Sequence, residues 1–256
     1  MITSMLDVPV LMYHRVNPVV IDRNTVHVDN FKQQLEYLAS RGYQAITLTQ
    51  LRQSLDGQGA LPAKPVILTF DDGYKDNFDF ALPLLMQYDM KATVFVVAGC
   101  VGGFCSWLKE HDCNRLMTWE QLGKWVEAGM EIGGHTMTHP FLSRLNEQAI
   151  KHELLTSKEL LESKLNSKIA FFCYPYGDFD DRVKTLVRQA GYQGGLAIYN
   201  RVSLTQPDIY AIPRQGISAR LPLWEFKLKV SGCHRLFIGM RIIEHRLKAM
   251  LRRRHG

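Results

Sequence analysis

Two aspartates, Asp71 and Asp72, stand side by side at the end of an apolar run, in the stretch Leu68-Thr69-Phe70-Asp71-Asp72-Gly73. About 60 residues later His135 and His139 occur at i and i+4 in His-Thr-Met-Thr-His. Histidines at that spacing meet on one face if the segment coils into a turn. Two imidazoles and one carboxylate form a common site for a divalent metal, with positions left open for water and substrate. The second acid of the pair can supply that carboxylate. If both aspartates bound the metal, no base would remain. If one binds and the other does not, the free one can take a proton from an attacking water. Taken alone, Asp71-Asp72-Gly73 is also an ordinary turn with a helix cap, and the histidines a solvated surface turn. It is the combination that points to chemistry.

Those residues need a scaffold that brings them together. Pro9 to Tyr13, Ala45 to Leu48, Val66 to Phe70, Ala92 to Val97, Glu131 to Gly133 and Ala170 to Phe172 read as strands, with weaker candidates at Leu196–Ile198 and Tyr210–Ile212. Helical patterns lie between them. Asp29 is read as the cap of one over Phe31, Leu35 and Leu38, Thr49 as the cap of a short one, and Thr118 as the cap of one through Leu122 and Trp125. Alternating strands and helices imply a parallel sheet. Seven or eight such units in about 220 residues suggest a closed or nearly closed barrel, an α/β fold whose chemistry sits at the C-terminal strand ends. His14, Asp71, Asp72, His135, Tyr176 and Arg214 all follow strand candidates, as that arrangement requires.

The 256 residues carry a net charge of +6, unevenly spread. From Trp224 onward nine Lys or Arg face two acids, Glu225 and Glu244, a net of +7; the preceding chain is left at −1. The basic pI therefore gives no reason to expect nucleic acid binding by the body. Leu236, Met240, Ile243, Leu247 and Met250 recur at helical spacing among arginines and lysines. That is a C-terminal amphipathic helix suited to an anionic membrane surface, with self-association as a homodimer or packing on the barrel as alternatives. Residues 1–222 are thus read as a catalytic barrel and 223–256 as a basic tail. Met1 to Val10 shows no basic segment followed by an apolar run, so no secretory signal is read. Five cysteines without a ladder read as reduced thiols. The expectation is a cytoplasmic protein, peripheral at the inner face of the cytoplasmic membrane.

Thr69-Phe70-Asp71-Asp72-Gly73 together with His-Thr-Met-Thr-His resembles the polysaccharide deacetylases of the NodB-homology, carbohydrate esterase family 4 type. The resemblance covers roughly residues 8 to 216. It implies a distorted (β/α) barrel, Asp71 as general base, and Asp72, His135 and His139 as ligands of a divalent metal, zinc first, with cobalt, nickel or iron as alternatives. A third family motif, Arg-x-Pro-Tyr, is met by Cys173-Tyr174-Pro175-Tyr176. Pro175 and Tyr176 match, and the resemblance assigns the Tyr176 backbone N–H to the oxyanion. Cys173 stands where the family has the arginine that pairs with the base. Arg214 is a substitute for it, a structural salt bridge being the competing reading. His14, in Leu11-Met12-Tyr13-His14, resembles the catalytic histidine of the poly-N-acetylglucosamine deacetylases, whose motif order is permuted. Trp107, Trp119 and Tyr74 are candidate stacking surfaces for sugar rings, although Trp119 fits a core position equally well. The implied activity is removal of acetyl groups from N-acetylated amino sugars of an exopolysaccharide or a lipid-linked oligosaccharide. A deformylase, an O-deacetylase and a non-catalytic scaffold are the rivals.

Overall fold

The computed structural model describes residues 7–19, 21–105, 107, 115–198, 207–231, 233, 236, 239, 240 and 243. Seven strands close into a parallel barrel: β1 (Val10–Tyr13), β5 (Pro65–Phe70), β6 (Thr93–Val96), β7 (Glu131–Gly134), β8 (Phe171–Cys173), β9 (Gly194–Ile198) and β10 (Ile212–Gly216). Each pairs with the next, and β1 closes the ring by pairing with both β10 and β5. The short β4 (Gln44–Ala45) pairs only with the first residues of β5. The expected strand at Ala45–Leu48 is thus reduced to a stub, and Leu48 starts a helix instead. β2 (Arg15–Asn17) and β3 (Thr25–His27) form a separate parallel pair above β1.

The helices are α1 (Val28–Ser40), α2 (Leu48–Leu55), α3 (Leu82–Gln87), α4 (Trp119–Glu127), α5 (Glu147–Leu165), α6 (Asp181–Gln189) and α7 (Leu223–Val230). Except for α3 and α7, their starts follow from side chains that satisfy the orphan N–H groups of the first turn. Thr118 caps α4 as expected, with Gln121 closing a capping box. Two expected caps are displaced by two residues. Thr47, not Thr49, caps α2 through a box with Gln50, and His27, not Asp29, caps α1, with Asp29 in the first turn.

Packing splits by strand periodicity. Leu11, Tyr13, Val66, Leu68, Phe70, Val94 and Phe172 face the helices in the main core. Their alternates, Val10, Ile67, Phe95, Phe171, Cys173, Leu196 and Ile212, fill the barrel interior. Gly133 is required there: a Cβ would lie 2.3 Å from the Phe95 ring.

The α7 helix belongs to this body. Phe226 and Val230 are buried, the Tyr37 and Phe226 rings pack edge to face, and Tyr43 Oη donates to the Val230 carbonyl at 2.7 Å. A boundary at 222/223 would cut through that packing, so the basic tail proper begins after α7. Leu236, Met240 and Ile243 are helical and 70%, 62% and 61% exposed. Leu247 and Met250 lie outside the described residues. Cys100, Cys105, Cys173 and Cys233 are free thiols; Cys113 lies outside the described residues.

Candidate active site

The alternation that fills the barrel with apolar side chains at its N-terminal end delivers polar ones at the other. Ile67, Thr69 and Asp71 follow one another at period two, as do Phe171 and Cys173, Ile212 and Arg214, and Val10, Met12 and His14. An apolar plug therefore passes upward into a reactive layer. It opens into a cleft of about 440 Å³ lined by His14, Asp71, Asp72, Trp107, His135, His139, Tyr176 and Arg214 among others.

Asp71 and Arg214 form a buried, two-pronged ion pair, Nη1 to Oδ1 at 2.6 Å and Nη2 to Oδ2 at 2.8 Å. Arg214 lies inside β10, not beyond a strand ending at Ile212, and this register turns it inward. Its Nη1 also donates to Thr69 Oγ1, and Nη2 lies 3.0 Å from Cys173 Sγ. Burial would push the Asp71 carboxyl up; the guanidinium, by charge and hydrogen bonding, leaves it below the ordinary carboxylate range. The base position is thus held ionised by an arginine from a strand 143 residues away.

Asp72 leaves Asp71 at once because its backbone is left-handed (φ 73°), as is that of Gly73 (φ 79°). The turn swings the Asp72 carboxylate to the opposite wall, where Oδ1 lies 3.5 Å from His135 Nε2 and 3.4 Å from His139 Nε2. Donors held about 2.1 Å from a shared ion at tetrahedral angles are separated by about 3.4 Å. The three residues therefore fit a divalent cation. All three are buried, with ligand atoms within 4.8 Å of one another. His135 Nδ1 faces the Cys173 carbonyl at 2.7 Å, which leaves Nε2 for an ion. A second grouping, Asp71, His135 and Cys173, also has its donor atoms close together, but Arg214 already fills the Asp71 carboxylate.

The histidine segment is not a helical turn. It is a loop with Thr136 (φ 69°) and His139 (φ 64°) left-handed, conformations that cost about 1–2 kcal/mol per residue. It is held by Glu153 of α5, whose carboxylate accepts from Met137 N, Thr138 N and Thr138 Oγ1 at 2.8, 3.0 and 2.7 Å. Glu153 escaped the sequence reading. Its signal was an acid inside the apolar stripe of Ile150, Leu154 and Leu161.

Aromatic rings close this wall. Trp107 stacks on His139 at 4.2 Å between centroids, and Tyr176 meets His139 edge-on at 4.5 Å while stacking on Phe141 at 4.0 Å. Tyr176 is left-handed (φ 57°) in the short turn Pro175–Gly177 and half-exposed. Pro175 is buried in that turn and does not line the cleft. Tyr74 lines it but is buried against Cys105 and Leu116, with the Arg15 guanidinium 3.8 Å above its ring. Trp119 packs against the main core. His14 lines the cleft between β1 and β2, its carbonyl accepting from Asn77 Nδ2 at 3.0 Å.

This geometry has relatives. Residues 58–195, more than half of the chain, match the polysaccharide deacetylase family, and the chain belongs to it. The YxkH protein of Bacillus subtilis is 29% identical over 212 residues, covering 82% of this chain and 71% of that one. The poly-beta-1,6-N-acetyl-D-glucosamine N-deacetylase of Staphylococcus epidermidis is 26% identical over 208 residues, covering 77% and 70%. Among solved structures, the Streptococcus pyogenes deacetylase PplD in complex with acetate superposes with a TM-score of 0.76 at 25% identity, covering 88% of this chain and 98% of that one. IcaB from Ammonifex degensii superposes at 0.70 with 26% identity, covering 88% and 95%.

Proposed function

We propose that this protein is a metal-dependent N-deacetylase of N-acetylated amino sugars in an exopolysaccharide or a lipid-linked glycan precursor. The observation that carries the reading is the division between neighbouring aspartates. Asp71 is clamped by Arg214 and kept ionised, and Asp72 faces two imidazoles across the same cleft. Asp72, His135 and His139 would hold the cation, zinc being favoured by an N, N, O donor set. Lewis acidity toward the acyl carbonyl and the attacking water is what such an ion supplies.

Asp71 takes a proton from the water as its oxygen bonds to the acyl carbon. The Tyr176 backbone N–H donates to the developing oxyanion. His14 gives a proton to the nitrogen as the C–N bond breaks, releasing acetate and a free amine. Arg214 keeps Asp71 anionic before each turnover. The faces of Trp107 and Tyr176 offer stacking surfaces for a sugar ring. For the tail we propose peripheral contact with the inner face of the membrane, supported by the exposed Leu236, Met240 and Ile243 within residues 231–256, where seven Lys or Arg against one acid give a net charge of +6.

The test is incubation of the zinc-loaded protein with N-acetylglucosamine oligomers, with acetate and free amine measured separately. Equimolar acetate and amine, lost in His14→Ala, is the expected result. Acetate without amine from an O-acetylated glycan would make it an O-deacetylase. Turnover only of N-formyl sugars would make it a deformylase, and no turnover of any acyl sugar would leave a scaffold.

A further inference from the structure

The cleft is lined by three arginines, and two of them are fully engaged. Arg214 is locked on Asp71. Arg15 is buried, with its guanidinium over the Tyr74 ring and 3.9 Å from Asp76. Arg23 differs. It is exposed, it lines the cleft, and among the described residues no acid lies within ion-pair distance of it.

Its backbone is nevertheless firmly placed. Asp22 Oδ1 accepts from Asn24 N at 2.8 Å and from Thr25 Oγ1 at 3.0 Å, and Thr25 N donates back to the Asp22 carbonyl. The Arg23 carbonyl accepts from Ala219 N at 2.9 Å, which ties this loop to the segment between β10 and α7. Arg220, one residue beyond that tie, is also exposed, and among the described residues it too has no acid at ion-pair distance. The Ala219–Arg23 contact sets the Arg220 backbone next to Arg23, whose side chain lines the cleft.

Asp71 is paired with Arg214 and Asp72 faces the imidazoles, while Asp22 keeps its charge but has its Oδ1 turned to Asn24 N and Thr25 Oγ1 rather than to Arg23. An exposed guanidinium with no acid at ion-pair distance disfavours an ammonium beside it and favours an anion. Deacetylation makes ammonium groups, so Arg23 disfavours stretches of glycan that already carry them.

We propose that Arg23 and Arg220 form a subsite for an anionic group, a phosphate or a carboxylate, carried by the glycan beside the N-acyl sugar. Guanidinium forks suit both groups through paired hydrogen bonds. This inference deepens the deacetylase reading and rests on it for the position of the acyl sugar.

The experiment is calorimetric binding to the zinc-loaded Asp71→Asn protein, full-length, so that no turnover is needed. Three probes are compared: a neutral N-acetylglucosamine oligomer, the same oligomer bearing a reducing-end phosphate, and one bearing a uronate. At least one anionic probe should bind about three- to tenfold more tightly than the neutral one. Adding Arg23→Glu and Arg220→Glu should abolish or reverse that ratio, Arg23→Lys should keep part of it, and added salt should shrink it. The arm that binds more tightly identifies phosphate or carboxylate. An equal ratio with and without the glutamates, or no preference for either anionic probe, overturns the subsite. Failure of the deacetylase reading would appear separately, as absent acetate release by the wild-type protein.

Discussion

The barrel carries a polar cleft at each end, and the larger one is not where the reactive groups lie. At the N-terminal end of the strands a cleft of about 740 Å³ is lined by Thr49, Arg52, Glu131, Lys168, Gln193 and Tyr210 among others. Its central acid is satisfied by structure. Glu131 accepts from Leu48 N, Thr49 N and Thr93 Oγ1 at 2.9, 3.1 and 2.6 Å, which holds the start of α2 against β6 and β7. Arg52 is paired with Asp56 at 2.8 Å. At the C-terminal end the cleft is smaller, but Asp72 and two imidazoles converge there with a donor spacing that fits a divalent cation. A charged group whose hydrogen bonds all go to the scaffold stabilises the fold; donors that converge on one point are positioned for a ligand. Size does not separate the two ends, whereas the state of their charged groups does.

The sharpest way to test this contrast is Asp71→Asn, which preserves shape and removes the base. Turnover should fall by about 10²–10⁴-fold, with close to one metal per chain retained in elemental analysis. Loss of metal instead would exchange the roles of the two aspartates. Arg214→Met should come next. It leaves a buried carboxylate unpaired, at a cost of about 3–5 kcal/mol in denaturant unfolding. Asp71 sits below its unfolded value, so the stabilisation from this pair is complete above about pH 4 and is lost as pH falls through the lower folded value. Without the guanidinium, burial raises the carboxyl, and the acidic limb of kcat/KM should move to higher pH. An unmoved limb would mean that Arg214 is a structural bridge only.

Glu153→Gln should act through the histidine loop. Weaker bracing of Met137 and Thr138 should loosen metal binding by about 10–100-fold in competition with a chelator. The smallest effect on activity is expected at the other end of the barrel. Glu131→Gln should destabilise the fold by about 1–3 kcal/mol and leave kcat of the folded protein intact. A drop in kcat larger than the loss of folded protein would break the distinction between the two ends.

The parts of the site that were legible in the sequence share one property: they are local. Asp71 and Asp72 at a strand end, His135 and His139 four apart, and His14 after β1 could be located by reading along the chain, and the alternation of elements gave the barrel. What escaped reading depended on register or on distance in the chain. The last strand was started two residues too early and ended four too early, because Tyr210 and Ala211 are as apolar as the true β10. Glu153 looked like one more charge on a long helix. Asp22 to Asn24 carried no motif at all.

The sequence by itself determined the chemistry on offer: an acid pair, two histidines and an inward histidine on the strand ends of a (β/α) barrel. Those choices follow from residue type, period and capping, which act over a few positions. Only the tertiary structure decided how the acids divide. The left-handed turn at Asp72 and Gly73 sends one carboxylate to the imidazoles, and closure of β10 onto β1 brings Arg214 onto the other beside Cys173. Such a pairing is fixed by barrel geometry across 143 residues, a distance over which no local pattern in the chain can specify a contact.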